Sequence, residues 1–98
     1  MDPEPSSTVS VRVLFFARAR EITQANECDI ELSASSSAPE WHGSFEEFIG
    51  RLEETYRGLG EIRGAYTLAV NQEYIQKDEK LLLRSGDEVA LITAISGG

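Results

Sequence analysis

The chain has 98 residues and a formal net charge of −8 at pH 7, and its longest apolar runs fall well short of the ~20 residues that span a bilayer. One domain with a single modest core is expected at this length, and no membrane partner. The carboxylate excess excludes nucleic acid, whose phosphates require Lys and Arg. It favours a protein partner with a basic docking surface, with solubility alone as the alternative explanation.

Residues 1–7 are acidic and contain Pro3 and Pro5, which predicts a disordered N-terminal tail before a single domain at residues 8–98. This segment lacks the basic and apolar regions of a signal peptide and the Arg-rich bias of a transit peptide, so we predict a cytosolic (cytoplasmic) protein. Cys28 is the only cysteine, which excludes an internal disulfide. Cys28 lies in a segment of alternating apolar and polar residues, which predicts a strand with a buried free thiol.

Alternating apolar residues predict two strands at the start of the domain. The first covers residues 9–16, and its opposite face becomes apolar only at Leu14 and Phe16. That second patch lies either under a loop or on a partner surface. Residues 17–25 form a polar connection with room for a short helical turn. Residues 28–33 alternate again and predict the second strand of a hairpin.

An amphipathic helix is the clearest predicted element, and it follows a Ser-rich loop at residues 33–43. Ser44 and Glu47 have the spacing of a capping box at its N-terminus. Gly58 is placed to terminate the helix. Apolar side chains recur at helical spacing on one face, namely at Phe45, Phe48, Ile49, Leu52 and Tyr56.

Short strands are predicted after the helix at residues 67–70 and 81–83, with a brief extended piece at residues 73–75. The last strand, residues 89–92, is apolar on both faces, which is typical of a central strand. A mixed sheet of four to five strands with one main helix packed on one face is an α+β fold. A central last strand beside the first strand is the β-grasp, or ubiquitin-like, topology.

The residue groups that usually mark an enzyme are missing. One cysteine and one histidine, Cys28 and His42, cannot form a standard zinc site, and there is no Gly-rich phosphate loop. We therefore expect this chain to bind no metal and no cofactor. His42 is predicted to face solvent in a loop, and Trp41 to cover the edge of the core or contact a partner. The acidic pairs on the helix predict a solvated face; they are Glu46, Glu47, Glu53 and Glu54.

The end of the sequence is the remaining candidate site, because Ser96, Gly97 and Gly98 follow the predicted central strand. A flexible tail at residues 93–98 can extend about 20 Å. Its two glycines carry no side chains and can therefore enter a narrow channel. Once activated, for instance as an anhydride with AMP, the carboxylate of Gly98 can accept sulfur, and the resulting thiocarboxylate is a strong nucleophile. A frayed tail without a role is the alternative.

Several blocks of residues resemble the small, sulfur-carrying subunit of molybdopterin synthases. The similarity extends over residues 9–98 and includes the terminal Gly-Gly, which many β-grasp proteins share. The blocks are residues 11–18 (VRVLFFAR), 20–23 (REIT), 69–75 (AVNQEYI), 86–92 (GDEVALI) and 95–98 (ISGG).

The resemblance implies a mechanism in which this chain is not catalytic alone. An E1-like adenylyltransferase/sulfurtransferase would use ATP to convert Gly98 to a glycyl adenylate, and sulfur would replace AMP to give 1-thioglycine. Ile95, Ser96 and Gly97 would then enter the active site of the large synthase subunit. There the sulfur would pass to cyclic pyranopterin monophosphate in molybdenum cofactor biosynthesis. Two small subunits would flank two large ones in a heterotetramer.

Two departures from the family pattern stand out. Thr93 and Ala94 replace two prolines that are common there, which removes a source of backbone stiffness, and the loop at residues 33–43 is long. Leu14, Phe16 and the exposed side of the last strand are predicted to contact the large subunit. Three alternatives stay open: a modifier joined to lysines through Gly98, a carrier for thiazole or tRNA thiolation, and a binding module with an incidental tail.

Overall fold

The computed structural model describes residues 7–34, 40–62, 65–76 and 78–93. This part of the chain contains seven strands, two α-helices and a 3₁₀-helix. In chain order they are β1 (Ser7–Phe16), α1 (Arg18–Thr23), β2 (Glu27–Ala34), β3 (Trp41–Gly43), α2 (Phe45–Thr55), the 3₁₀-helix (Arg57–Ile62), β4 (Tyr66–Val70), β5 (Glu73–Ile75), β6 (Leu81–Leu83) and β7 (Glu88–Thr93).

The main sheet has five strands in the order β2-β1-β7-β4-β5. Strands β1 and β7 are parallel, with Val13 opposite Val89, and the other neighbours are antiparallel. The last strand therefore lies in the centre beside the first, which confirms the predicted mixed sheet and its β-grasp topology. A separate antiparallel pair joins β3 to β6.

The core lies between one face of this sheet and α2. The alternating residues of β1 from Val9 to Phe15 are buried, and so is the predicted apolar face of α2 from Phe45 to Leu52. Burying each such side chain contributes roughly 1.5–3 kcal/mol. Tyr56 follows the helix and packs edge-on against Phe15, with ring centroids 5.4 Å apart.

The end of α2 differs from the prediction. The helix ends at Thr55 with Tyr56 as its C-cap, so Gly58 does not terminate it. Gly58 lies instead in the 3₁₀-helix, where an added Cβ would be 2.8 Å from Cγ2 of Ile22 in α1. The glycine therefore serves close packing between two helices, a requirement that helix-end patterns do not reveal.

Both ends of the predicted loop at residues 33–43 belong to strands, and residues 35–39 lie outside the described residues. Residue 33 belongs to β2, and Trp41–Gly43 forms β3, in which Trp41 pairs with Leu83. A three-residue strand is too short to show alternation, so pairing with a distant partner decides its conformation. Strand β1 also begins earlier than predicted, at Ser7. Residues 1–6 lie outside the described residues, and the predicted tail there stays a prediction.

The capping box at the start of α2 is confirmed. The Ser44 hydroxyl accepts the Glu47 backbone N–H at 3.1 Å, and the Glu47 carboxylate accepts the Ser44 N–H at 2.8 Å. We expect Ser44→Ala to lower the free energy of unfolding by about 1 kcal/mol, because an N-cap acceptor is lost. Urea unfolding monitored by circular dichroism measures this, with the exposed Thr55→Ala as control. An unchanged urea midpoint for Ser44→Ala would show that the cap contributes no stability.

Candidate functional site

The candidate site begins where the central strand ends. Thr93 is the last residue of β7. The sequence had predicted it to be the first residue of a flexible tail. Its side chain is only 4% exposed, and no other polar residue in the described part of the chain is buried to that extent. The described residue nearest to Gly98 in sequence is therefore held in the core.

Thr93 is bound on both of its sides. Toward β4 it pairs with Tyr66. Toward β1 its Oγ1 accepts the backbone N–H of Arg18 at 2.9 Å, and the hydroxyl makes a longer contact of 3.5 Å with the carbonyl oxygen of Phe16. These partners lie 75 and 77 residues away in sequence, so the contacts are purely tertiary.

The predicted reactive residue, Gly98, and the predicted tail residues Ile95, Ser96 and Gly97 lie outside the described residues. Five peptide units separate Thr93 from Gly98, and they span at most about 17 Å. The Cα of Gly98 therefore lies within that distance of the Cα of Thr93. Its assignment as the working group stays a prediction.

An apolar patch lies on the sheet face opposite α2, beside the end of β7. We call it the open-face patch. Leu14 and Phe16 of β1 stand next to Ala90 and Ile92 of β7 in the register of the parallel pair. The patch forms a depression of about 340 Å³, with Gln72 and Glu88 at its margin. Its members are Leu14, Phe16, Ala69, Tyr74, Ala90 and Ile92.

The open-face patch explains why β7 is apolar on both faces. Val89 and Leu91 are completely buried against the core, whereas Ala90 and Ile92 are only half-buried. Phe16 and Tyr74 are 44% and 73% exposed. An exposed apolar area of this kind on a folded chain is typical of a surface that a partner covers. The structure thus places Leu14 and Phe16 together, outside the core.

Tyr74 is the most exposed residue of the patch, and the sequence did not predict it there. It lies in the three-residue strand β5, opposite Ala69 of β4. A three-residue strand is too short to show a pattern of alternating apolar and polar residues. Pairing with β4 therefore decides which face of the sheet each side chain of β5 occupies. The one local signal was an aromatic residue two positions after the turn at Asn71 and Gln72, both of which have positive φ.

Carboxylates border the open-face patch on the β2 side. Leu14 pairs with Glu27, and Arg12 pairs with Asp29, whose carboxylate is 3.8 Å from the guanidinium. Both acidic residues are exposed. An apolar centre with an acidic margin suits a partner that has apolar and basic residues in the complementary places.

The predicted buried thiol, Cys28, is half-buried and packs against the core. Burial raises the pKa of the Cys28 thiol, opposed by a hydrogen bond with Tyr56, and the nearby Asp29 charge raises it further. Burial also raises the pKa of Tyr56, with a smaller contribution from Cys28. The thiolate fraction at neutral pH is therefore small, and so is the nucleophilicity of this sulfur.

Trp41 and His42 lie in β3. Trp41 packs on the core with its ring centroid 6.0 Å from that of Phe48, as predicted for a residue covering the core edge. His42 lies in β3 rather than in a loop, is exposed as predicted, and is 3.4 Å from the Glu40 carboxylate. A hydrogen bond from Arg84 lowers the pKa of Glu40.

Across residues 7–34, 40–62, 65–76 and 78–93, no three His, Cys, Asp or Glu side chains could together hold a metal ion.

Sequence and structure comparisons agree with this architecture. The chain is 31% identical over 90 residues to the molybdopterin synthase sulfur carrier subunit of Chlamydomonas reinhardtii, covering 92% of this chain and 100% of that protein. The human molybdopterin synthase sulfur carrier subunit is 36% identical over 90 residues, covering 90% and 93%. A solved complex of subunits 1 and 2 of the Helicobacter pylori molybdopterin-converting factor contains a chain with a TM-score of 0.56 and 21% identity, covering 92% and 100%.

The fold, with its central last strand leading to Gly-Gly, is that of a ubiquitin-like β-grasp protein. The sequence model of the ThiS family matches residues 13–98, and the chain belongs to this family. The match extends through both the open-face patch and the terminal glycines. Within the described residues, no helix is long and apolar enough to cross a membrane.

Proposed function

We propose that this chain is the sulfur carrier subunit of a molybdopterin synthase and that it carries sulfur on the carboxylate of Gly98. The observation that supports this most strongly is the similarity to sulfur carrier subunits over nine-tenths of the chain, together with a family match that runs to Gly98. The fold adds support, because the central strand β7 leads directly to the terminal segment.

The proposed chemistry has three steps. An E1-like enzyme joins the Gly98 carboxylate to the AMP portion of ATP and releases pyrophosphate. Hydrosulfide then displaces AMP and leaves a thiocarboxylate. In the large synthase subunit this sulfur passes to cyclic pyranopterin monophosphate, with two carrier chains supplying the two sulfurs of one dithiolene, and water hydrolyses the acyl group so that the Gly98 carboxylate is regenerated. We expect these steps in the cytosol, since the free thiol of Cys28 requires no oxidising compartment.

The chain itself supplies an acyl group and the means to present it. Strand β7 provides a fixed base, and residues 94–98 provide a reach of at most about 17 Å. Gly97 and Gly98 carry no Cβ, so a narrow channel in the large subunit can admit them together with Ile95 and Ser96. The acids, bases and nucleotide-binding groups of the reaction belong to the partner proteins in this proposal.

The open-face patch is the proposed contact with the large subunit. It lies beside the end of β7, so a partner seated on Leu14 and Phe16 also receives the terminal segment. The Helicobacter pylori structure supports a partner of this kind, since it is a complex of subunits 1 and 2. We propose two carrier chains and two large subunits in the assembled synthase.

Reconstitution tests the proposed function. The chain is prepared with a thiocarboxylate at Gly98 and mixed with the large subunit and cyclic pyranopterin monophosphate. We expect dithiolene product in proportion to the thiocarboxylate supplied, while the same chain with an ordinary carboxylate gives none. Product formation that does not depend on the thiocarboxylate would contradict the proposal.

Cys28 is the other group on the chain that could carry sulfur, as a persulfide. Its raised pKa and partial burial argue against this. We expect Cys28→Ser to transfer sulfur within about twofold of the wild-type rate, because the thiol does not take part. Initial rates in the reconstituted assay measure this. A loss of transfer by a variant that still folds and binds the large subunit would make Cys28 the carrier.

A further inference from the structure

We propose that Thr93 is a positioning residue for sulfur transfer: its hydroxyl fixes the end of β7, through which Gly98 is joined to the folded domain. This inference rests on the proposed function and adds to it a role for a side chain within the folded domain. It is drawn from the hydrogen bond between Thr93 and Arg18 and from the place of that bond at the end of the β1–β7 pair.

Helix α1 lacks a cap of its own. Its N-cap residue is Ala17, which has no side-chain oxygen, and no side-chain cap hydrogen bond forms there. The first N–H groups of a helix have no partner within the helix and need an acceptor from elsewhere. Thr93 provides it from another element, since its Oγ1 accepts the Arg18 N–H at 2.9 Å. The bond ties the first turn of α1 to the last residue of β7.

The Thr93 hydroxyl holds β7 beside the β1–α1 junction, beyond the last paired residues of β1 and β7. The parallel register of β1 and β7 ends at Phe16 opposite Ile92, so Thr93 has no partner residue in β1. On its other side, β4 still pairs with Thr93 through Tyr66. Without the hydroxyl bond, the last residue of β7 would be held from one side only.

The helix to which Thr93 is bound is itself held in place. Ala19 is completely buried, and the guanidinium of Arg18 is 3.0 Å from the Glu61 carboxylate on the 3₁₀-helix. Ala17 has φ 54° and ψ −125°, a conformation that is unfavourable for a residue with a Cβ and persists only where surrounding contacts impose it. The junction of β1 and α1 is therefore a fixed support for Thr93.

The position of Thr93 matters because only five peptide units join it to Gly98, the reactive residue of the proposed function. Once Gly97 and Gly98 are held in the proposed channel, so short a segment cannot fully absorb a displacement of Thr93. Misplacing a reacting group by about 1 Å can slow a reaction up to about 100-fold. A side chain that holds the base can thus affect transfer without touching the sulfur.

The test compares two substitutions at Thr93 in single-turnover sulfur transfer. Thr93→Val keeps the shape and removes the acceptor, whereas Thr93→Ser keeps the hydroxyl. Each full-length chain is prepared as the Gly98 thiocarboxylate and mixed with increasing large subunit. We expect Thr93→Val to lower the maximal rate about tenfold, with the half-saturating concentration changed less than about threefold, because docking is retained while orientation is lost. Thr93→Ser should stay within about twofold on both measures.

Ser44→Ala is the matched control for stability, since it removes one helix-capping hydroxyl from α2 instead of α1. It should leave the maximal rate unchanged. Equal maximal rates for Thr93→Val and wild type, or equal slowing by Ser44→Ala and Thr93→Val, would overturn the positioning role. If Thr93→Val does not fold, Thr93→Ala is judged by the same criteria. Failure of the wild-type thiocarboxylate to transfer sulfur would instead contradict the proposed function.

Discussion

One alanine added after Gly98 is expected to abolish sulfur transfer and to leave the folded domain unchanged. The addition moves the carboxylate one residue further from Thr93 and places a methyl group beside it. An activating site that fits a side-chain-free terminus would reject both changes. Adenylation is measured by ATP-dependent release of pyrophosphate in the presence of the activating enzyme, and transfer by dithiolene product. We expect a loss of at least about 100-fold in both, as for a displaced reacting group.

The matched control is one alanine added before Met1, which changes length and mass identically at the other end. It should be activated and should transfer at the wild-type rate. Urea unfolding of both extended chains should match the wild type, because neither addition touches the described core. Full transfer by the chain extended after Gly98 would refute a mechanism that uses the Gly98 carboxylate.

Phe16→Asp is expected to weaken binding to the large subunit by at least about 30-fold. Phe16 is 44% exposed in the open-face patch and stands opposite Ile92 at the end of the β1–β7 pair. An aromatic residue in the middle of an interface commonly contributes about 2 kcal/mol or more, and the new carboxylate would be buried without a partner. Isothermal titration calorimetry of the purified subunits measures the affinity.

Leu82→Asp is the matched control for this experiment. Leu82 is 45% exposed, is also a large apolar residue, and lies in β6, which belongs to the separate two-stranded sheet. The two variants replace large apolar residues of similar exposure and add the same charge, so position is the main difference between them. We expect Leu82→Asp to bind within about threefold of wild type, as rim or remote residues do. Equal weakening by both variants, or by neither, would remove the open-face patch as the interface.

Much of the fold could be predicted from local patterns. The capping box at Ser44 and the apolar face of α2 follow from spacing within one helix, and the structure confirms both. The central place of β7 follows from its apolar residues on both faces, and the sheet order confirms it. These features depend on periods of two or about 3.6 residues, which a single segment displays fully.

The features that the sequence did not predict depend on pairing between distant segments. Strand β3 exists because Trp41–Gly43 pairs with β6. The side chain of Thr93 matters because it meets Arg18, 75 residues away. Tyr74 joins the open-face patch through the pairing of β5 with β4. No local periodicity in the sequence encodes such contacts, so they can be recognised only from the three-dimensional structure.

Intact mass spectrometry of the chain, produced in cells together with its activating enzyme, is the most direct test of the central proposal. We predict a species whose mass has increased by the difference between one sulfur and one oxygen atom. Fragmentation should place that increase on Gly98, and Cys28→Ser should retain it. A mass that stays at the unmodified value, or a ladder of covalent adducts with other proteins in place of the sulfur species, would contradict the carrier account.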